Sequence, residues 1–130
     1  MKSRDAVVLL LFGFGFWFAG TLFYRARGPI VFEATALRRW INFVVTPAAS
    51  AVVCLLLLRM LDLSPQRWAA AGLLIALPGM AGEAVMLSNF AVLMPRMHAA
   101  SAGRFGALLF VSYGLFLAAC EVATLRSLAR

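Results

Sequence analysis

Residues 68–94 read WAAAGLLIALPGMAGEAVMLSNFAVLM, 27 residues with one charge among them, Glu83. A helix rises about 1.5 Å per residue, so roughly 20 apolar residues cross the hydrocarbon of a bilayer. Helices span economically because each satisfies its own backbone hydrogen bonds. Three further runs of the same kind occur. Ala6–Tyr24 and Trp40–Leu58 carry no charge, and Phe105–Leu125 carries only Glu121 near its end. The pattern predicts an all-α integral membrane four-helix bundle, a single transmembrane domain over residues 1–130, with helices over about 6–25, 38–60, 67–94 and 104–126.

Composition agrees with this reading. The chain is 64% hydrophobic and 13% charged, with mean hydropathy +0.94, whereas soluble domains are about half apolar and a quarter charged. The net charge of +7 does not imply nucleic acid, because the basic residues flank apolar runs and form no single stripe. At helix ends they suit insertion and anionic headgroups, which makes the lipid bilayer the expected partner. A cleaved leader is the rival reading of the first run. That run is long and aromatic for a leader, Asp5 is out of place in one, and three spans follow, so a retained helix is expected.

The connections are short. Gly28-Pro29 is expected to break the first helix, with Pro29 opening the second and Glu33 near that helix's positive end. Ser64-Pro65 suits the start of the third helix. Trp40 and Trp68 stand at span edges, where headgroups favour amphipathic rings. The two membrane faces carry equal numbers of basic residues: Lys2, Arg4, Arg59, Arg67, Arg126 and Arg130 against Arg25, Arg27, Arg38, Arg39, Arg96 and Arg104. Orientation is therefore open; both termini in the cytoplasm is the expectation.

Glu83 is the residue to weigh first. It lies fifteen residues after Trp68 and twelve before Pro95, near mid-bilayer if the span is continuous. An ionisable group there is costly and usually faces the bundle interior. It serves either as a proton or cation site or as a hydrogen-bonded tie between helices. Gly72, Ala76, Gly79 and Glu83 share one helical face, and Pro78 should bend the helix just before the acid. In the second span Asn42, Thr46, Ser50 and Cys54 recur every four residues, a stripe that suits interhelical glue or a narrow polar pathway. Counting inward from the span edges brings Glu83, Thr46, Ser50 and Tyr113 to similar depth, with Trp17 nearby. Arg25 is the nearest cation, if it reaches down from the interface.

The remaining polar residues are read more plainly. Glu121 is expected to pair with Arg59 at the interface, and His98 to be solvated in its loop. Cys54 and Cys120 are expected to be packing thiols, whose pairing would need their helices to meet at one depth. Gly13, Gly15, Gly20, Gly106 and Gly114 read as close-packing positions. No nucleophile–base pair, phosphate loop or metal-ligand cluster occurs, so neither enzyme activity nor a metal or cofactor is expected.

Several segments resemble a family of small, uncharacterised bacterial four-span membrane proteins known as a domain of unknown function. The resemblance rests on Gly20-Thr-Leu-Phe-Tyr-Arg25-Ala-Arg-Gly28, Pro78-Gly-Met-Ala-Gly-Glu83-Ala, Phe90 to Met94-Pro95, Phe105-Gly106-Ala and Tyr113-Gly114. It implies the four-span architecture and a multi-pass location in the bacterial inner membrane. The family pattern usually has Asp at the Glu83 position, and the resemblance implies no activity. Small multidrug exporters are similar in size, but their essential acid lies in the first helix, where this chain has none. The leading expectation is a non-enzymatic structural or interaction role, with a homodimer expected. The alternative is a small proton- or cation-coupled transporter using Glu83, its substrate unknown. A cavity reaching Glu83 would favour transport; a dry, packed acid would favour the structural role.

Overall fold

The computed structural model describes residues 1–130, all helix and connection with no strand. The long helices are α1 (Ser3–Gly28), α2 (Ala36–Met60), α3 (Trp68–Ser88) and α5 (Ala102–Leu128), and α4 (Phe90–Leu93) is a single turn. Four helical segments are long and apolar enough to cross a membrane: Ser3–Glu33, Ala36–Met60, Pro65–Ser88 and Ala99–Leu128. The chain is a multi-pass membrane protein built as an antiparallel four-helix bundle. Around the bundle α1 packs on α3, α3 on α5 and α5 on α2, while the backbones of α1 and α2 hardly approach one another.

Polar side chains seal the helix ends. Asp5 accepts from the Lys2 backbone N–H at 3.0 Å at the start of α1. Thr35 caps α2 by accepting from the Arg38 N–H at 3.1 Å. Thr124 of α5 accepts from the Ala69 N–H and donates to the Pro65 carbonyl, each at 3.0 Å, which fixes the α2–α3 hairpin to the last helix. The Trp68 indole donates to the Leu63 carbonyl at 2.9 Å in the same hairpin. At the opposite face Glu33 accepts from the His98 N–H at 2.9 Å and from the Ser101 hydroxyl. Its role is thus to cap the approach to α5, not α2. His98 is held there through its backbone.

Two boundaries differ from the sequence reading. The chain stays helical past Gly28, because Pro29–Glu33 forms a π-helical turn and the reversal falls at Thr35. A π turn accommodates a proline that has no N–H to donate and would crowd the preceding turn. Gly28 lies against the Met97 side chain, which would have to shift to admit a Cβ there. The third long helix stops at Ser88, six residues before Met94. The Asn89 side chain donates to the Val85 carbonyl at 2.9 Å, the local bonding by which Asn competes with a helix. Glu83 therefore lies five residues from the end of α3, closer to one membrane face than a continuous span would place it. Pro47 and Pro78 are both carried within unbroken helices.

The core divides in two. Leu9, Cys54, Leu58, Trp68, Ile75, Phe116 and Cys120 belong to the cluster near the termini. Tyr24, Phe32, Met86, Phe90, Met94, Phe105 and Leu108 belong to the cluster at the other end. Both cysteines are free thiols in the first cluster.

Candidate functional site

A cavity of about 100 Å³ lies between these two clusters, walled by all four long helices. Residues 13, 17, 20, 21 and 24 of α1 face it, the spacing of one helical face. Thr46, Ser50 and Cys54 contribute from α2, Ile75, Ala76 and Glu83 from α3, and Phe105, Ser112, Tyr113 and Phe116 from α5.

Close packing on α3 positions these groups. Gly72 lies against Cys120 and Phe116, and Gly79 against the Tyr113 hydroxyl and Trp17. The Trp17 ring rests on Gly82 so closely that a Cβ there would overlap it. On α1, Gly13 touches the Ile75 carbonyl, so the two backbones meet directly. The small residues on the Glu83 face of α3 thus admit two large side chains and bring them to the acid.

Of the five residues singled out in the sequence, Glu83, Thr46, Ser50 and Tyr113 border this one cavity. Arg25 does not join them: its guanidinium donates to the Leu93 carbonyl at 3.2 Å at the membrane face. The freed peptide groups beside the Pro29 turn and the α4 connection give the interfacial arginines nearer partners, and Arg96 likewise donates to the Ala26 carbonyl at 3.1 Å. The expected Glu121–Arg59 pair is also not formed. Arg59 stands 6.0 Å from the Trp68 ring, while Glu121 is exposed beside a small-residue groove between α3 and α5.

The α2 stripe both ties helices and lines the cavity, and Thr46 does both. Asn42 and Thr46 are glue: the Tyr24 hydroxyl donates to Asn42 Oδ1 at 2.8 Å and shares a hydrogen bond with Thr46 Oγ1 at 3.0 Å. These bonds link α1 to α2 where their backbones stay apart. Ser50 and Cys54, further along, line the cavity.

Three buried polar atoms at this site have no hydrogen-bond partner within the protein: Trp17 Nε1, Thr21 Oγ1 and Glu83 Oε2. Trp17 and Glu83 are neighbours across the α1–α3 contact. The Trp17 indole N–H is the donor nearest the Glu83 carboxyl, and Thr21 stands one turn further along α1 on the same wall. Tyr24, Cys54 and Tyr113 are the other titratable groups on its wall, and no basic side chain reaches it. Thr21 and Tyr24 did not stand out in the sequence. Their spacing from Trp17, four and seven residues, is the signal that places them with it.

These features define the class: an all-α, four-span membrane protein with an acid-bearing cavity inside the bundle. The chain belongs to DUF5367, a family of unknown function, whose model matches residues 31–126. That stretch contains α2, α3 and most of α5, with Glu83 among them; α1 and its Trp17 precede it. No curated protein and no solved structure matches the chain.

Proposed function

We infer that the protein is a small, non-enzymatic transporter of the bacterial inner membrane, moving a proton or cation by way of Glu83. The observation that carries this reading is the cavity, which reaches the Glu83 carboxyl from all four helices. The only side-chain donor that approaches the Glu83 carboxyl is the Trp17 indole, which leaves most of its acceptor capacity unused within the protein. Glu83 also borders a second recess, between α3 and α5 and lined by Met80, Leu87 and Phe110. That recess lies on the outer, lipid-facing side of the bundle, where Met80 and Phe110 are exposed.

The test is flux in proteoliposomes. Wild-type protein should dissipate an imposed pH gradient. Glu83→Gln, whose amide cannot exchange a proton, should abolish that activity while keeping the fold. Equal flux in the two forms would refute the reading. The structural and interaction role is the second reading, supported by the Tyr24–Asn42–Thr46 bonds. It predicts no flux in any form and a loss of stability when those bonds are removed.

A further inference from the structure

We propose that a recess at the membrane face opposite the termini binds the phosphate of one anionic phospholipid between Arg39 and Arg104. The inference is independent of Glu83 and of any transport.

The recess forms where the Pro29 turn meets the first turns of α2 and α5. Its volume is about 360 Å³, and Phe32, Glu33, Arg39, His98, Ser101 and Arg104 line it. Phe32 is buried, Arg39 is half-buried and Arg104 is exposed.

The charge of this recess is not balanced within the protein. A helix N-terminus carries partial positive charge and favours acids beside it. Neither α2 nor α5 has an acid in its first turn. Each instead places an arginine there, Arg39 as the fourth residue of α2 and Arg104 as the third of α5. Arg25, Arg38 and Arg96, at the same membrane face, each donate to a backbone carbonyl at 3.1–3.2 Å. The guanidinium groups of Arg39 and Arg104 have no such partner. The one acid of the recess, Glu33, is engaged by the His98 N–H and the Ser101 hydroxyl. Two arginines against one engaged carboxylate leave the recess positive.

The arginines suit phosphate. A guanidinium donates two parallel hydrogen bonds to phosphate oxygens. Arg39 and Arg104 stand on two helices that pack together, so one phosphate is reached from both.

A line of rings points to lipid as the source of that phosphate. Phe32 stacks on Phe43 at 6.1 Å, and Phe43 lies 6.0 Å from Trp40. Trp40 is 65% exposed, and its neighbours Leu37 and Ile41 are exposed as well. An apolar path thus runs from the recess onto the outer surface of α2, at the depth where Trp meets headgroups. A phospholipid sets its phosphate on the arginines and its acyl chains along this path; a soluble phosphate uses the arginines alone. A zwitterionic lipid brings its own cation to a recess that is already positive, so anionic lipid is preferred.

The test uses the full chain in neutral detergent, titrated separately with phosphatidylglycerol, phosphatidylcholine and inorganic phosphate, with bound lipid counted by native mass spectrometry and phosphate binding read by calorimetry. Wild-type protein should bind one phosphatidylglycerol saturably, about tenfold tighter than phosphatidylcholine, and more weakly as ionic strength rises. Arg39→Gln combined with Arg104→Gln should remove that preference, and each single variant should weaken it. Arg4→Gln combined with Arg130→Gln removes the same charge from exposed positions at the other face and should keep it. Thermal unfolding without added lipid checks that every variant folds. Equal affinity of wild-type protein for the two lipids, or equal weakening by the two double variants, would overturn the site. Inorganic phosphate binding as tightly as phosphatidylglycerol would overturn lipid as the source and leave a site for soluble phosphate.

Discussion

At the scale of single residues, Glu83 and the groups near it make separable predictions. Glu83→Gln should shift detergent stability by less than about 1 kcal/mol, since the replacement is nearly isosteric and its amide oxygen still offers an acceptor to the Trp17 indole. Thr124 behaves oppositely. Thr124→Val removes both hydrogen bonds to the α2–α3 hairpin and should cost about 1–3 kcal/mol, read as a lower unfolding temperature. Much of the site was legible one residue at a time. An acid in a 27-residue apolar run is conspicuous, and counting residues from span edges placed Thr46, Ser50 and Tyr113 near it. Arg25 was not legible, because a long side chain at a span edge can turn inward or outward. Its partner, the Leu93 carbonyl, was created by a helix break that the apolar pattern does not display.

At the scale of helices, the close approach of α1 and α3 holds the cavity in shape. Gly13→Val should drive the Ile75 backbone away and destabilise by about 1–3 kcal/mol, whereas Gly15→Ala should change stability little, because nothing lies near it. Circular-dichroism melts of the two variants check the contrast. The five glycines of the first and last helices read alike in the sequence, yet Gly13 touches backbone, Gly106 makes an ordinary contact with Leu87, and Gly15, Gly20 and Gly114 face open space. A helix apolar on every side has no polar stripe to mark its outer face, so inward and outward glycines cannot be told apart without the neighbours. The Pro29 turn was missed for a related reason. Gly-Pro ordinarily ends a helix, but a π turn carries this one five residues further.

At the scale of the whole molecule, four apolar runs sufficed for the architecture, because a bilayer leaves a short apolar chain few alternatives. The order of packing was not encoded so openly. That α1 lies on α3 while remaining apart from α2 depends on Gly13, Gly79 and Gly82 accepting close neighbours. We propose a homodimer as the working assembly, with the open glycine positions of α1 and α5 as surfaces for close helix contact. Cysteine cross-linking in native membranes from position 15 or 114 should capture a dimer; monomer alone from both positions would exclude those faces. The central claim, that Glu83 exchanges protons with the aqueous phase through a cavity inside the bundle, is tested most directly by infrared spectroscopy of the protein in lipid. On transfer to deuterated buffer, the wild-type protein should show a shift of a carboxyl band that is missing in Glu83→Gln. A Glu83 band that stays unshifted in D₂O, or no difference between the two proteins at any pH at which they stay folded, would contradict it.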